Sequence, residues 1–289
     1  MYTTLISAEQ FMALQRSGRP LMVFDCSFEL MQPAAGLAQY REAHVPGAIH
    51  ADLDTALSAH GRADAASGGR HPLPNRERFA AWLGSVGFGN EMQAVVYDRQ
   101  RANYCGRLWW MLKWAGHEAV AVLDGGLQAW IAAGGAVESG DASAPAPVRF
   151  TLSPARAALV GTGEVSGRLG RAEQTLIDAR AAPRFRGETE PLDPVAGHIP
   201  GALNRPFGDN LDAQGKFKPA ETLRAEFEAL LSARDPGTVV HHCGSGVSAV
   251  PNVIAMELAG LGRAALYAGS WSEWSRTPGL PCAQSGAQG

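Results

Sequence analysis

The two halves of this 289-residue chain repeat one set of motifs in the same order. The motif HVPGAI at 44–49 returns as HIPGAL at 198–203. Two further pairs follow along the chain: AVVYDRQ at 94–100 with TVVHHCG at 238–244, and DGGLQAW at 124–130 with AGSWSEW at 268–274. Repetition on this scale predicts two domains of the same fold instead of one large core.

The stretch GGAVESGDASAPAPVRF at 134–150 separates the repeats. It is rich in Gly, Ala, Pro and Ser and has no apolar periodicity, a composition that is typical of a linker. We therefore predict an N-terminal domain at 1–138, a linker at 139–150 and a C-terminal domain at 151–289.

Each half alternates short apolar runs with helical patterns. The runs LMVFD, AVVYD, TLIDA and TVVHHC are rich in β-forming residues, whereas RLWWMLKWAG and AETLRAEFEALLS have the spacing of helices. Strands that alternate with helices form parallel sheets that are buried on both faces. We predict an α/β fold of two similar domains, each a mainly parallel sheet covered by helices on both faces.

Charge and cysteine content exclude several functions. The formal net charge of -3 gives no electrostatic basis for binding nucleic acid or an anionic membrane surface. No apolar run approaches the roughly 20 residues that span a bilayer, and the first residues carry no targeting pattern. The cysteines lie far apart without CxxC spacing, which argues against disulfides and zinc. We predict a cytoplasmic protein with free thiols and no metal.

Cys243 stands at the end of a β-rich run, before a loop that contains two glycines. Pro251 is tolerated only in the first turn of a helix, so we expect Ser248 to cap that helix. The loop 243–248 would then lie between a strand and a helix N-terminus. Unpaired N–H groups and the helix dipole favour an anion there.

The loop sequence also favours an ionised sulfur. Gly244 and Gly246 allow several N–H groups to converge, and no Asp or Glu occurs in 238–256 to oppose a negative charge. The thiolate is the reactive form of cysteine, so we predict that Cys243 is a nucleophile. Asp98, at the aligned position of the first repeat, cannot carry sulfur, which leaves that half catalytically silent.

Other chemistries use similar loops. A cysteine phosphatase needs an arginine where this chain has Ala249, and a nucleophile-elbow hydrolase needs a glycine where it has Cys243. The dinucleotide pattern G-x-G-x-x-A is matched, but the acid that it requires after the next strand is missing from AALYAGSW. A buried structural cysteine is the remaining alternative.

The loop CGSGVS, the repeated H-[VI]-P-G-A motif and the segment GSWSEW together resemble the tandem-domain rhodanese family, and within it the 3-mercaptopyruvate sulfurtransferases. The resemblance covers nearly the whole chain and implies two rhodanese-like domains. It implies that Cys243 takes a sulfane sulfur from 3-mercaptopyruvate as a persulfide. The acceptor would be a small thiol, cyanide or a thioredoxin-like protein. No metal or organic cofactor is implied.

The resemblance also implies roles for individual residues. Arg184 in DARAAPRFRG matches the arginine that binds the donor carboxylate. Ser245 and His44 match two members of a catalytic Ser–His–Asp relay, whereas no Asp stands at the matching place. The other loop residues expected to bind the donor are Gly244, Gly246, Val247 and Ser248.

These sequence patterns do not decide which compound is the sulfur donor. Thiosulfate-using members resemble C-R-K-G-V-T, with two cations where this loop has the neutral pair Gly244 and Ser245. Against that, EPLD at 190–193 lacks the second cation of the EPR motif found in mercaptopyruvate enzymes. Thiosulfate:cyanide sulfurtransferase activity with the same nucleophile is the alternative, and a non-catalytic persulfide carrier is a third hypothesis.

Overall fold

A computed structural model describes residues 1–143 and 145–285. The chain divides into two compact units. Unit 1 comprises Met1–Ala66, Pro74–Arg156 and Ala213–Phe217, and unit 2 comprises Ser67–Leu73, Ala157–Asp212 and the chain from Lys218 onward. Ala144, in the predicted linker, and 286–289, in the predicted C-terminal domain, lie outside the described residues.

Unit 1 is built on a parallel sheet. Its described helices and strands are β1 (Leu5–Ile6), α1 (Ala8–Arg16), β2 (Leu21–Asp25), α2 (Pro33–Glu42), β3 (Ile49–His50), α3 (Arg76–Ser85), β4 (Gln93–Tyr97), α4 (Cys105–Trp114), β5 (Val120–Leu123) and α5 (Gly126–Ala132). The strand order is β1-β5-β4-β2-β3, and every neighbouring pair is parallel. All residues of β4 are buried, as expected for a strand covered on both faces.

Unit 2 contains a parallel sheet in the order β7-β6-β8-β9. Its described helices and strands are α6 (Thr162–Gly167), β6 (Thr175–Asp178), α7 (Ala182–Arg186), β7 (Leu203–Asn204), α8 (Ala220–Leu231), β8 (Val239–His242), α9 (Val250–Leu258), β9 (Ala265–Leu266) and α10 (Ser270–Trp274). Short 3-10 helices lie at Phe207–Asn210 and Pro236–Thr238. All residues of β8 are buried.

The two sheets share one arrangement of strands. In unit 1, β4 pairs with β5 and β2, and in unit 2, β8 pairs with β9 and β6. Asp98 follows β4 and Cys243 follows β8, so the positions that the sequence repeat aligns are structurally equivalent. Ligands of open parallel sheets bind at the carboxyl ends of such strands. The predicted fold of two parallel α/β domains is confirmed.

Two internal segments belong to a different unit from the domain predicted for them. Ala213–Phe217 lies within the predicted C-terminal domain, yet it belongs to unit 1. Ser67–Leu73 lies within the predicted N-terminal domain, yet it belongs to unit 2, and its backbone is hydrogen-bonded to α10. The N–H of Gly68 donates to Glu273 Oε2 (3.1 Å), and the N–H of Arg70 donates to Ser272 Oγ (2.9 Å). Unit 1 also runs past the predicted linker to Arg156, and the domain boundaries stay a prediction.

Candidate functional site

Cys243 is the first residue after β8, and it is 1% exposed. Its N–H donates to Ser270 Oγ (3.1 Å), and its carbonyl accepts from the N–H of Trp271 (3.0 Å). The carbonyl of Gly244 accepts from the N–H of Ser272 (2.8 Å). The first two carbonyl groups of the loop are therefore bound by amides of α10.

Most of the later N–H groups of the same loop lack a partner among the described residues. Within 1–143 and 145–285, five of them have no hydrogen-bond acceptor: those of Gly244, Ser245, Val247, Ser248 and Ala249. Gly246 turns the chain with φ +72°, a conformation that side chains disfavour, and a Cβ there would lie 2.3 Å from the carbonyl oxygen of Ala268. A curled loop with unpaired N–H groups is an anion-binding arrangement.

The aligned loop of unit 1 already holds an anion. The carboxylate of Asp98 is buried and accepts N–H bonds of 2.8 to 3.0 Å from four residues of its own loop: Gln100, Ala102, Tyr104 and Cys105. Burial raises the pKa of Asp98, and these four bonds oppose that shift. In unit 1 the anion that these loop N–H groups bind is thus a side chain of the loop itself. In unit 2 the same position holds a thiol.

The helix after the Cys243 loop begins later than predicted. α9 starts at Val250, with Pro251 as its second residue. Its N-cap is Ala249, which has right-handed helical backbone angles and no side-chain capping bond. A helix capped by Ser248 would begin at Ala249, whereas α9 begins at Val250. The prediction that Ser248 is its N-cap is therefore wrong.

Ser245 is paired with a histidine other than the predicted one. Its Oγ lies 2.8 Å from Nδ1 of His71, and both side chains are buried. His44 is buried in unit 1, where its ring nitrogens lie 2.9 Å from the carbonyl oxygen of Tyr40 and 3.1 Å from Glu138 Oε1. The predicted pair of Ser245 with His44 is corrected to Ser245 with His71, because both ring nitrogens of His44 are occupied by anchoring contacts.

Two arginines cover the loop at Gly244. A Cβ placed on this glycine would lie 3.1 Å from Nη2 of Arg70 and 3.7 Å from Nη1 of Arg184. Arg184 donates from Nη2 to Glu190 Oε1 (2.6 Å), and Arg70 donates from Nη1 to Asp193 Oδ1 (2.9 Å). Arg184 thus lies beside the loop, where a donor-binding residue is needed, and Arg70 is a second cation that the sequence analysis did not predict.

Arg180 provides a fixed positive charge in the same unit. It is buried, donates to Asp178 and Glu190, and stacks over the ring of Trp271 at 4.8 Å. Burial lowers its pKa, but the neighbouring carboxylates and the charge of a Cys243 thiolate raise it, and the net shift is upward. A negative sulfur at this position is therefore within electrostatic reach of a buried guanidinium.

The other cysteines have surroundings that disfavour the thiolate. Burial raises the pKa of Cys26 and of Cys105 well above the usual value, and it also raises the pKa of the more exposed Cys282. All four cysteines are free thiols. Across the described part of the chain, no cluster of three His, Cys, Asp or Glu side chains is placed to hold a metal ion.

No described helix combines the length and the hydropathy that a bilayer crossing requires.

The sequence analysis missed His71 and Arg70. Both lie in Ser67–Leu73, which forms neither helix nor strand, and His71 precedes Ser245 by 174 residues. A weak signal was present, because GGRHP places a cation and a histidine between glycines and a proline. Because the stretch has no apolar periodicity, its polar residues cannot be explained as the exposed face of a helix or strand, which leaves a functional role open to them.

Comparisons with known proteins assign the chain to a family. The family model described as Rhodanese-like domain matches the chain twice, at 7–133 and at 162–277. The chain is similar to a Pseudomonas aeruginosa protein named "Probable 3-mercaptopyruvate sulfurtransferase", with 45% identity over 280 residues that cover 96% of this chain and 97% of that protein.

Two further similarities extend over most of the chain. The thiosulfate sulfurtransferase of Bos taurus is 34% identical over 283 residues, which cover 95% of this chain and 92% of that protein. The structure of 3-mercaptopyruvate sulfurtransferase from Leishmania major matches with a TM-score of 0.81 and 32% identity, covering 96% of this chain and 76% of that chain. These relatives bear out the enzyme class that the sequence analysis expected.

Proposed function

This chain belongs to the rhodanese-like family of sulfurtransferases, and from that premise we propose that it moves a sulfane sulfur from 3-mercaptopyruvate to a thiol or cyanide through a persulfide on Cys243. One observation carries the choice of nucleophile. Cys243 follows the central strand of its sheet and begins a loop in which several N–H groups have no acceptor among the described residues. In unit 1 the equivalent residue is Asp98, and the N–H groups of its loop bind its carboxylate.

The first half-reaction needs no external oxidant. The thiolate of Cys243 attacks the sulfur of 3-mercaptopyruvate, an S–S bond forms and the C–S bond breaks. The electron pair of the C–S bond stays on carbon, and that carbon takes the proton of the donor thiol to give pyruvate. The charge now lies on the outer sulfur, where N–H groups of the loop stabilise it. In this proposal the donor-binding part of the loop is formed by Gly244, Gly246, Val247 and Ser248.

In the second half-reaction the acceptor attacks the outer sulfur, and the thiolate of Cys243 leaves. The product is a persulfide when the acceptor is a thiol, and thiocyanate when it is cyanide. A small thiol, cyanide or a thioredoxin-like protein can serve, because the acceptor needs to reach a single sulfur atom. We place the reaction in the cytoplasm, since four free cysteines suit a reducing compartment.

We assign the donor carboxylate to Arg184. The planar guanidinium matches a carboxylate, and its buried Nε has no acceptor among the described residues. The bond from Nη2 to Glu190 can therefore persist while the donor binds. A specific observation also favours thiosulfate as the alternative donor, because Arg70 adds a second cation at Gly244 that suits a sulfonate.

The donor is tested by comparing the two candidates directly. We expect kcat/KM with 3-mercaptopyruvate to exceed that with thiosulfate, with pyruvate as the product instead of sulfite. Arg184→Met should lower kcat/KM for 3-mercaptopyruvate about thirtyfold, roughly the worth of a charge-assisted hydrogen bond, chiefly through KM. Arg186→Met is the matched control in α7, because Arg186 is exposed and bonded to Glu188.

Three outcomes would change the proposed function. Faster turnover of thiosulfate would make it the donor. Equal losses in the two arginine variants would remove Arg184 from the donor site. A persulfide that forms on the enzyme but is never passed to a small thiol or to cyanide would make the protein a carrier.

We propose that Ser245 and His71 act as one unit that relays the proton of the donor thiol to the departing carbon: the hydroxyl gives its proton to carbon and regains one from the donor sulfur, and the imidazole orients the hydroxyl. Ser245→Ala and His71→Ala should each lower kcat for 3-mercaptopyruvate about thirtyfold, and the double variant no further than the worse single one. Steady-state rates of the three variants provide the test. His44→Gln is the control and should keep wild-type kcat; additive losses at Ser245 and His71, or a large loss at His44, would contradict the corrected pair.

A further inference from the structure

A second cavity of unit 2, about 360 Å³ in volume, borders the loop that carries the nucleophile. It is lined by Gly69, Arg70, Ser272, Glu273, Arg276 and Thr277. The N–H of Ser272 donates to the carbonyl of Gly244 (2.8 Å), the residue after Cys243. Arg184, to which we assign the donor carboxylate, does not line this cavity. Its volume is in the range of small-molecule sites, so a second small ligand can bind beside the loop.

Arg276 presents unused hydrogen-bond donors at this cavity. Its Nη1 donates to Asp193 Oδ1 (2.7 Å) and to the carbonyl of Ser272 (2.8 Å), which holds the side chain in one orientation. Its Nε and Nη2 have no acceptor among the described residues. The side chain is 48% exposed, so a ligand from solvent reaches it. A guanidinium with free donors in a fixed plane is suited to a carboxylate.

Glu273 presents an unused acceptor at the same cavity. Its Oε2 accepts from the N–H of Gly68 (3.1 Å), whereas its Oε1 has no donor in the described part of the chain. The carboxylate is packed against glycine, because a Cβ on Gly68 would lie 2.7 Å from Cδ of Glu273. Within 1–143 and 145–285, no ion pair joins Glu273 to Arg276. Both charges are therefore available to a ligand.

We propose that this cavity binds the sulfur acceptor and that it selects a thiol of the amino-acid type, with its carboxylate on Arg276 and its ammonium on Glu273. This inference rests on the proposed function, because an acceptor is needed only if Cys243 carries sulfur. A site for an anion alone would be weakened by the carboxylate of Glu273, since like charges repel. A ligand with both charges on one carbon uses both side chains.

The transfer step is balanced without an oxidant. The acceptor thiol gives its proton to water, and its thiolate attacks the outer sulfur of the persulfide. A new S–S bond forms, the S–S bond to Cys243 breaks, and the electron pair of that bond returns to the Cys243 sulfur. Binding of the two charged ends holds the acceptor beside the loop, so recognition of those ends should appear as a faster capture of sulfur.

Four thiols that differ only in their charged groups test the site. Cysteine carries both groups, 3-mercaptopropionate only the carboxylate, cysteamine only the ammonium, and 2-mercaptoethanol neither. The enzyme is loaded with sulfur, the donor is removed, and loss of the added mass is followed at equal thiolate concentrations. Arg276→Met should slow cysteine and 3-mercaptopropionate about tenfold, and Glu273→Gln should slow cysteine and cysteamine about tenfold, as expected for one charge-assisted hydrogen bond.

Two kinds of control accompany these variants. The rate with 2-mercaptoethanol should stay within about twofold of wild type in both, because this thiol has no charged group to lose. Arg224 and Glu228 form an exposed ion pair on α8 (2.9 Å), and Arg224→Met and Glu228→Gln should leave all four rates within about twofold. Arg276→Lys keeps the charge and should give an intermediate rate with cysteine. Equal slowing of all four thiols in Arg276→Met would mean a displaced loop and would overturn the inference.

Binding without transfer separates this inference from the proposed function. S-methylcysteine has both charged groups and no thiol, and its Kd, measured by calorimetry, should rise about tenfold in Arg276→Met. If the wild type takes up no sulfur from either donor, the proposed function fails, and this measurement still decides on the cavity. Absence of S-methylcysteine binding to the wild type overturns the inference. Slowing of 3-mercaptopropionate in Arg276→Met with no effect of Glu273→Gln on any thiol overturns the amino-acid assignment.

Discussion

Replacing Cys243 by serine is expected to abolish persulfide formation and to lower turnover by about ten thousandfold or more. Serine keeps the size of the side chain and the backbone bond to Ser270, so the loop stays in place. Its hydroxyl is not ionised near neutral pH, and an oxygen cannot hold a sulfur that the acceptor then removes. Intact-mass measurement with 3-mercaptopyruvate should show a gain of about 32 Da, one sulfur atom, in the wild type and none in Cys243→Ser.

The matched control makes the same substitution at another cysteine. Cys282 is an exposed free thiol, and Cys282→Ser should form the persulfide and turn over within about twofold of wild type. A mass gain that survives in Cys243→Ser would place the sulfur on a different residue. Equal losses in both variants would show that the effect is not specific to the loop at the end of β8.

The sheet and its central cysteine could be predicted because both depend on local patterns. The run TVVHHC contains β8, and AVVYD contains most of β4. Once a strand is central in a parallel sheet, the residue that follows it lies at the carboxyl edge of the sheet, whatever the other loops do. That is why Cys243 could be singled out from one strand and one glycine-rich loop.

His71 and Arg70 could not be placed by the same reasoning. Their segment has no regular secondary structure, and its position is set by hydrogen bonds to side chains 202 and 205 residues later in the chain. Contacts of that separation leave no periodicity in the sequence. The prediction therefore paired Ser245 with His44, whereas the structure pairs it with His71, which also comes from the first half of the chain.

The repeat itself explains why His44 was misleading. Its counterpart in the second copy of the motif is His198, whose Nδ1 lies 2.8 Å from the carbonyl oxygen of Phe185 and whose ring stacks on that residue. His44 makes the same pair of contacts with Tyr40. Contacts that recur in both halves are explained by the fold that the halves share, and they carry no information about activity.

Differences between the repeats are therefore the better guide to activity. The aligned pair of Asp98 and Cys243 is such a difference: a loop that binds its own carboxylate in unit 1 is left with unpaired N–H groups around a thiol in unit 2. A carboxylate fills the anion site permanently, whereas a thiol leaves it available to a charge that appears during the reaction. Under the proposed function, one architecture gives a silent domain and a reactive one through the residue that follows its central strand.

Gly246→Ala is expected to lower the free energy of unfolding by about 3 kcal/mol and turnover by about a thousandfold. The residue has φ +72°, and a Cβ would lie 2.3 Å from the carbonyl oxygen and 2.7 Å from the Cα of Ala268. Both are backbone atoms, which cannot rotate away as a side chain can. The contact is relieved only if the loop moves, and that movement takes the N–H groups away from the sulfur of Cys243.

Gly244→Ala provides the matched control two residues earlier. The nearest atom to its new Cβ would be Nη2 of Arg70 at 3.1 Å, the end of a flexible side chain, so stability should fall by about 1 kcal/mol or less. Thermal unfolding, turnover and the rate of Cys243 alkylation by iodoacetamide should be measured for both variants. Equal losses of stability would show that Gly246 is not a special point of the loop. Full turnover in Gly246→Ala would mean that the placement of the loop N–H groups does not govern sulfur transfer.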